Sequence, residues 1–185
     1  SAPAVSNATE EFGGSSWTSG GNLNTARRYL AGFGIQTAAL AAGGAEPTIT
    51  EKTEQYDGSS WTELSDMNTA RRELAGTGTY TAGLVFGGNT PPYSAKTEVW
   101  DGTSWTEVSD LSTATERLAG ATSAPSALSL AFGGTTGSNS AATEEWSAPA
   151  TFNQITLGQL YFNSTTNTFK ETVKSIPSGT FASGG

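Results

Sequence analysis

The chain is a tandem repeat with a period of 44 residues. The tripeptide Leu-Ala-Gly begins at positions 30, 74 and 118, and tryptophan recurs at positions 17, 61 and 105. Glycine pairs at 43–44, 87–88 and 133–134 follow the same spacing, with two extra residues in the third copy. A repeat of this length is a structural unit that buries its apolar face only against neighbouring copies, as in a propeller blade or another stacked array. The period therefore limits the chain to a row of similar units.

Within one repeat the residue pattern predicts four short β-strands. The expected strands are residues 72–78, 81–86, 96–100 and 104–108. The second is a continuous apolar run that ends at a glycine pair, which is typical of a strand buried on both faces. Asp101-Gly102 supplies a tight turn between the last two strands. The sequence thus predicts an all-β fold of four-stranded antiparallel meanders. A β-solenoid is the alternative, but its parallel coils do not use Asp-Gly hairpins.

Composition excludes several classes of function. The net charge is −8 and only nine Lys and Arg are spread over 185 residues, so nucleic acid is not an expected partner. No apolar run approaches the length of a membrane span. The chain has no Cys and no His, which excludes disulfides, thiolate metal sites and the usual general base. We therefore predict no cofactor, no metal site and no membrane span.

The order of motifs resembles the kelch repeat. An Arg-containing first strand ends in Leu-Ala-Gly, and an apolar strand ends in Gly-Gly. A third-strand aromatic follows at 56, 100 and 146, and a fourth-strand Trp at 17, 61 and 105. The resemblance covers about residues 5–147 and implies kelch-like β-propeller blades, in which aromatics pack between neighbouring blades. The third copy departs from the pattern, because Thr115-Glu116 replaces the Arg-Arg pair of the first two copies.

A second resemblance points to a virus particle. The repeats, with their Asn-Thr-Ala-Arg-Arg and Leu-Ala-Gly phrases, are similar to kelch-like repeats in tail-fibre and other virion proteins of marine bacteriophages. Residues 158–170 look like a hairpin common in phage fibre proteins. The resemblance implies a location in the virion, an extracellular particle. We expect blades over residues 1–147, a hairpin-containing insertion over 148–178 and the start of a further repeat over 179–185.

Both ends of the sequence fall within a repeat. Residues 8–12 match 52–56, and residues 179–185 resemble 15–21. We expect a segment of a longer polypeptide with about three blades, the first incomplete, whereas propellers have about 4–8. The missing blades are expected first from flanking sequence and second from other copies of the chain in a symmetric assembly.

The acidic residues recur in register, which favours a structural role. Glutamate repeats at 10, 54, 98 and 144 and at 63 and 107, and aspartate at 66 and 110. A catalytic pair needs two carboxyl groups in different environments, whereas copies at one repeat position share one environment. We therefore predict no catalytic centre and no enzyme activity. A polysaccharide-acting propeller enzyme remains an alternative, with carboxylates as its only candidates.

Candidate binding residues lie where the repeats differ. By the kelch resemblance, one face carries the loop after Gly-Gly and the loop into the first strand. The expected binding residues on this face are Arg28, Glu46, Arg72, Asn89, Tyr93 and Glu116. Arginine and an exposed tyrosine would bind a polar ligand such as a saccharide through hydrogen bonds and stacking. The structural alternative is that Arg27 and Arg71 brace neighbouring blades and the loops only tolerate change.

The expected function is a non-enzymatic structural or binding component of a phage virion, a tail fibre or appendage. It would present propeller loops to other virion subunits, to further copies of itself or to a host surface saccharide. A saccharide-binding adhesin of a bacterial surface is a further alternative. The residues expected to be buried are Leu40, Leu84, Val85, Leu130, Trp61, Trp100 and Trp105.

Overall fold

The fold is all-β, as predicted. The structure is a computed structural model that describes residues 5–121, 128–147, 160–163 and 168–171. Every regular element in these ranges is a strand. The chain divides into two compact units, Ser1–Ala148 and Pro149–Gly185.

The first unit begins with a two-stranded half-blade and a complete four-stranded blade. The half-blade consists of β1 (Glu10–Phe12) and β2 (Trp17–Ser19). The first blade follows, with a small hairpin between its second and third strands. Its elements are β3 (Ala31–Ile35), β4 (Ala38–Ala42), β5 (Ala45–Glu46), β6 (Thr48–Ile49), β7 (Thr53–Tyr56) and β8 (Trp61–Glu63).

Two further blades complete this unit. The second blade consists of β9 (Ala75–Thr79), β10 (Ala82–Phe86), β11 (Thr97–Trp100) and β12 (Trp105–Val108). The third consists of β13 (Ala119–Ala121), β14 (Leu128–Phe132) and β15 (Thr143–Ser147). The sheet orders are β3-β4-β7-β8, β9-β10-β11-β12 and β13-β14-β15, with every pair antiparallel. The predicted meander is confirmed.

The first strand of the second blade begins three residues later than predicted. Glu73 has a φ of 56°, which lies outside the extended region that a strand requires. The chain becomes regularly extended only at Ala75. A propensity pattern could not reveal this, because glutamate rarely adopts a positive φ.

The glycine pairs sit where the backbone of the next blade comes closest. Gly43 and Gly44 have φ angles of 67° and 107°, and a Cβ on Gly43 would lie 2.6 Å from the carbonyl oxygen of Arg71. The N–H of Gly44 donates to that same oxygen at 2.8 Å. Gly88 donates to the Thr115 carbonyl at 2.8 Å in the next copy. Only glycine meets both the angle and the close approach.

Apolar clusters fill the junctions between blades. The junction of the first and second blades buries Ala31, Leu40, Ala42, Met67, Leu74, Val85, Trp100 and Trp105. The junction of the second and third buries Ala75, Leu84, Phe86, Leu118 and Ala131. Each blade therefore contributes one face to the core on each side, as a stacked repeat requires.

The fourth-strand tryptophans tie each blade to the preceding one. The indole N–H of Trp105 donates to the Thr53 hydroxyl at 3.0 Å, and that of Trp61 donates to the Thr9 hydroxyl at 2.9 Å. Trp105 also packs against Trp100 with ring centroids 5.2 Å apart. The side chain combines apolar area with a satisfied polar group, the arrangement that buried tryptophan favours.

Two of the predicted core residues are not fully buried. Leu40, Leu84, Val85, Trp100 and Trp105 are buried as expected, and Trp61 is half-buried. Leu130 is 38% exposed, so the prediction for this residue was wrong. Its counterparts Leu40 and Leu84 pack against the following blade. Among the described residues no blade follows the third, and Leu130 therefore meets solvent.

The second unit contains one pair of described strands. Strand β16 (Leu160–Asn163) pairs antiparallel with β17 (Thr168–Glu171), as predicted for the hairpin of residues 158–170. The predicted turn at 164–167 and the predicted further repeat at 179–185 lie outside the described residues.

We predict that Trp105→Ala lowers the free energy of unfolding by about 3–5 kcal/mol, because it removes a buried indole from the blade junction. Chemical denaturation followed by circular dichroism measures the change. Tyr80→Ala, at a side chain that is 41% exposed, is the control and should cost much less. Equal losses for the two variants would contradict the assigned packing.

The Asp101-Gly102 turn predicts that the free energy of unfolding decreases at low pH. The Asp101 carboxylate accepts hydrogen bonds from the N–H groups of Thr103 and Ser104 at 2.8 Å, and these bonds lower its pKa to about 2. Because the folded-state pKa is depressed, this contribution is complete above the ordinary value near 3.8 and is lost as the pH falls towards 2. We expect Asp101→Asn to flatten the stability profile between about pH 4 and 2. An unchanged slope in denaturation curves across that range would refute the assignment.

Candidate functional site

The loops after the glycine pairs meet the segments that lead into the first strands. Bridges of antiparallel type join Arg28 to Ala45, Arg72 to Asn89 and Glu116 to Thr135. The same geometry recurs in all three blades, so these residues lie on one repeated face. We call it the loop face. The prediction that residues 28, 72 and 116 lie beside the loops after Gly-Gly agrees with these contacts.

Two of the predicted binding residues are buried and bonded to each other. The amide nitrogen of Asn89 donates to Glu116 Oε2 at 2.6 Å, and the two residues are 8% and 6% exposed. This bond joins the second blade to the third. Asn89 and Glu116 therefore hold the loop face together rather than offer free groups to a ligand.

A row of three residues with left-handed backbone runs across the blades. Tyr29, Glu73 and Arg117 occupy one repeat position and have φ angles of 62°, 56° and 56°. The N–H of Glu73 donates to the Tyr29 carbonyl at 2.8 Å, and the N–H of Arg117 donates to the Glu73 carbonyl at 2.8 Å. A positive φ costs about 1–3 kcal/mol for a residue other than glycine and tends to occur at functional sites. We call these residues the inner row.

The side chains of the inner row and its neighbours form charged and aromatic contacts. The Arg117 guanidinium donates two hydrogen bonds to the Glu73 carboxylate, with nitrogen–oxygen distances of 2.8 and 3.3 Å. The Arg117 side chain is nevertheless 66% exposed. The contact with Glu73 raises the pKa of Arg117. At the other end of the row, the Arg28 guanidinium lies 5.2 Å from the ring centroid of Tyr29, a cation–π distance. Tyr29 is 48% exposed.

The remaining predicted residues are distributed along the same loops. Arg28 and Glu46 are exposed, whereas Arg72 and Tyr93 are half-buried. Tyr93 bridges to Asn89 through the backbone and belongs to the loop of the second blade. The surface that a ligand would meet is therefore formed by Arg28, Tyr29, Glu46 and Arg117.

Sequence reasoning missed Tyr29, Glu73 and Arg117. The signal was present, because this position varies from aromatic to acid to base while Leu-Ala-Gly follows it unchanged. A variable position next to an invariant phrase marks a place where the backbone is fixed and the side chain is free to differ. The positive φ could not be read from these residue types.

The repeated acids and arginines form buried pairs inside the first two blades. Arg71 Nη2 lies 2.9 Å from Glu98 Oε1, and both side chains are completely buried. Arg71 Nη1 also donates to the Gly87 carbonyl at 2.9 Å. In the first blade the Arg27–Glu54 distance is 3.3 Å. Burial lowers the pKa of both arginines, and the paired carboxylates partly offset that effect.

Arg71 contacts one blade through its side chain and another through its backbone. The side chain of Arg71 joins strands of its own blade, whereas its carbonyl oxygen accepts the bond from Gly44 of the preceding blade. Side chain and backbone thus act in two blades at once. Arg71 links neighbouring blades through its peptide group, not through its charge.

The second oxygen of each paired carboxylate holds the chain that enters the blade. Glu98 Oε2 accepts from the Asn68 N–H at 2.7 Å, and Glu54 Oε2 accepts from the Asn24 N–H at 2.7 Å. In the third blade Glu144 keeps this bond, with the Ser112 N–H at 2.8 Å, although Thr115 replaces the arginine. These repeated carboxylates all serve the same structural contact.

Neither a candidate metal site nor a membrane-spanning helix is found among the described residues. Within residues 5–121 and 128–147 no group of three or more acidic side chains is arranged to hold a metal ion. The described part of the chain has no helix long and apolar enough to cross a membrane. No protein-family model matches the chain, and no curated protein shows significant similarity to it.

We predict that Arg71→Met lowers the free energy of unfolding by about 3–5 kcal/mol, because it leaves the buried Glu98 carboxylate without its partner. The matched control is Lys96→Met, which breaks the exposed Lys96–Glu107 pair of the same blade and should cost less than about 1 kcal/mol. Urea denaturation measures both. Similar costs would show that burial does not govern these pairs.

Proposed function

We propose that the protein is a non-enzymatic structural and binding component of a phage virion, in a tail fibre or other appendage. Its blades present the loop face to a neighbouring subunit or to a saccharide on the host surface. The proposal combines the sequence resemblance to virion proteins with the composition of the loop face. Blades serve as a rigid support, and the side chains that vary between copies provide recognition.

The inner row is the observation that carries this proposal. Its three positions share one backbone geometry but present tyrosine, glutamate and arginine. The inter-blade hydrogen bonds fix the spacing of these side chains. The Glu73 side chain is 7% exposed and pairs with Arg117, so a ligand would meet Tyr29 and Arg117 as pre-organised groups. Pre-organisation reduces the entropy lost on binding and therefore favours recognition at this place.

The exposed groups suit a saccharide. The Tyr29 ring offers a face for stacking against a sugar, and the guanidinium groups of Arg28 and Arg117 offer several hydrogen-bond donors each. Both arginines are positive charges on a protein with a net charge of −8. An acidic polysaccharide would therefore find complementary charges at the loop face.

The contacts that the buried carboxylates make argue against the alternative that the protein is a polysaccharide-acting enzyme. Glu54 and Glu98 each hold an arginine with one oxygen and a backbone N–H with the other. A general acid or nucleophile must instead be free to reach a glycosidic bond. Binding without turnover is therefore the function that the described arrangement supports best.

We expect purified protein to bind one or more members of a printed panel of acidic and neutral bacterial polysaccharides. Tyr29→Ala and Arg28→Ala should each weaken the binding by about ten-fold, the effect of losing roughly 1.4 kcal/mol of contact energy. Titration of the fluorescently labelled protein on the panel measures the change. Tyr80→Ala removes an exposed aromatic that lies outside the loop face and should bind as the unchanged protein does.

Three results would contradict saccharide binding without turnover at the loop face. One is the absence of binding to every saccharide of the panel. Another is equal binding by the Arg28, Tyr29 and Tyr80 variants. A third is release of new reducing ends from a bound polysaccharide, which would identify the protein as an enzyme.

A further inference from the structure

A cleft lies between the second and third blades. The cleft is open to solvent and has a cavity volume of about 50 Å³, and its walls include Leu84, Thr97, Leu111, Ala131 and Trp146. The second blade supplies one wall and the third blade the other. Half of the lining residues are apolar, and the other half are polar: Thr97, Ser109, Asp110, Ser129, Glu144 and Glu145.

The equivalent space between the first and second blades is filled by Trp105. Five residues of the cluster that contains Trp105 or of its bonded partners correspond by repeat position to five of the residues that line the cleft. The pairs are Leu40 and Leu84, Thr53 and Thr97, Met67 and Leu111, Val85 and Ala131, and Trp100 and Trp146. The cleft is therefore the place of a fourth-strand tryptophan, with Thr97 as the counterpart of the hydroxyl that accepts the indole N–H.

The described part of the third blade does not include a strand that would carry this tryptophan. Its described sheet ends at β15, whereas the first two blades continue to β8 and β12. None of the described strands pairs with the outer edge of β15. A strand edge without a partner among the described strands, beside a cleft with the apolar residues Leu84, Leu111 and Trp146, favours addition of a strand, because backbone N–H and C=O groups and apolar surface become covered together.

The half-blade carries a fourth-strand tryptophan that is not buried against a neighbouring blade. Trp17 lies on β2 of the half-blade and is 64% exposed, whereas its counterpart Trp105 is 6% exposed. Strand β2 pairs only with the three residues of β1. One molecule thus has a free tryptophan at one end of its blades and a vacant tryptophan site at the other.

We propose that β2 of a second copy pairs with β15 and places its Trp17 in the cleft. Trp17 of the second copy would stack on Trp146 and donate its indole N–H to Thr97. The register follows from the intact second blade, where Trp100 faces Trp105 and Val99 faces Thr106. By the same register Glu145 would face Thr18 of the second copy.

The sequence of β15 supports this exchange. Residues 143–146 read Thr-Glu-Glu-Trp, and residues 9–12, which include β1, read Thr-Glu-Glu-Phe. Strand β15 can therefore replace β1 beside the β2 strand of the second copy. Thr9 accepts the indole N–H of Trp61, and Glu11 accepts the hydroxyl of Tyr56. Thr143 and Glu145 provide the same two groups.

The exchange gives a definite stoichiometry. Each copy contributes a first blade, a second blade and a third blade completed by its partner. Two copies related by a two-fold axis contribute six blades, within the range of about 4–8 in which propellers close. A single copy, with three, lies below that range. This inference concerns assembly and holds whether or not the loop face binds a saccharide.

The first test is the mass of the 185-residue protein in solution. Sedimentation equilibrium should give a dimer of 19.0 kDa chains. Trp17→Ala and Thr97→Val should each raise the dissociation constant at least ten-fold, and Tyr80→Ala should leave it unchanged. Circular dichroism of each variant checks that the fold is kept. A monomer at all concentrations, or a dimer that Trp17→Ala does not weaken, overturns the proposal.

The second test identifies the contact itself. Because the chain has no cysteine, Thr18→Cys and Glu145→Cys introduce single thiols on two separately tagged copies. Mild oxidation of the mixture should link the two tags in one product. Thr62→Cys is the matched control, because Thr62 already faces Gln55 in its own blade, and should not link to Glu145→Cys. No link between the tags, or a link within a single chain that carries both substitutions, overturns the proposal.

Discussion

The close approach of backbones at the glycine pairs is the contact on which the rest of the structure depends. Gly44 and Gly88 each donate to a carbonyl of the next blade, at a distance that a side chain on the adjoining glycine would block. This contact sets the separation between blades. The apolar clusters, the tryptophan hydroxyl bonds and the backbone bonds of the inner row all form at that separation. A single larger residue at Gly43 or Gly87 would disturb every one of them.

The buried arginine–glutamate pairs explain why an acidic, histidine-free chain keeps charges inside its blades. Each of these glutamates bonds an arginine and a backbone N–H, so one carboxylate connects a third strand to two points of the segment that leads into the first strand. Such pairs contribute little net stability, because both ions lose their water on burial. Their value lies in selecting one arrangement of strands. In the third blade Glu144 keeps the backbone bond without an arginine, which shows that the two roles are separable.

Sequence reasoning reached the fold because the repeat period, the Asp-Gly turns and the apolar runs are local and occur several times. It placed Leu40, Leu84 and Trp105 correctly in the core for the same reason. It misplaced Leu130, because burial of that residue depends on a following blade and not on its own repeat. It also missed the inner row, since the backbone angle of Glu73 follows from a bond to the neighbouring blade. Asn89 and Glu116 were recognised as neighbours of the loops, but their mutual bond required coordinates.

The geometry of the inner row has a consequence for how the surface can change. Its backbone is fixed by peptide groups alone, so the identity of each side chain is independent of the bonds that hold it. Gain or loss of a whole 44-residue unit in the gene would leave the backbone contacts of the junctions intact, since both junctions share the bonds of the glycine pairs and of the inner row. The order of tyrosine, acid and base along the row would nevertheless shift by one step. A chain built in this way can present a new recognition surface through repeat exchange, without a single new contact in its core.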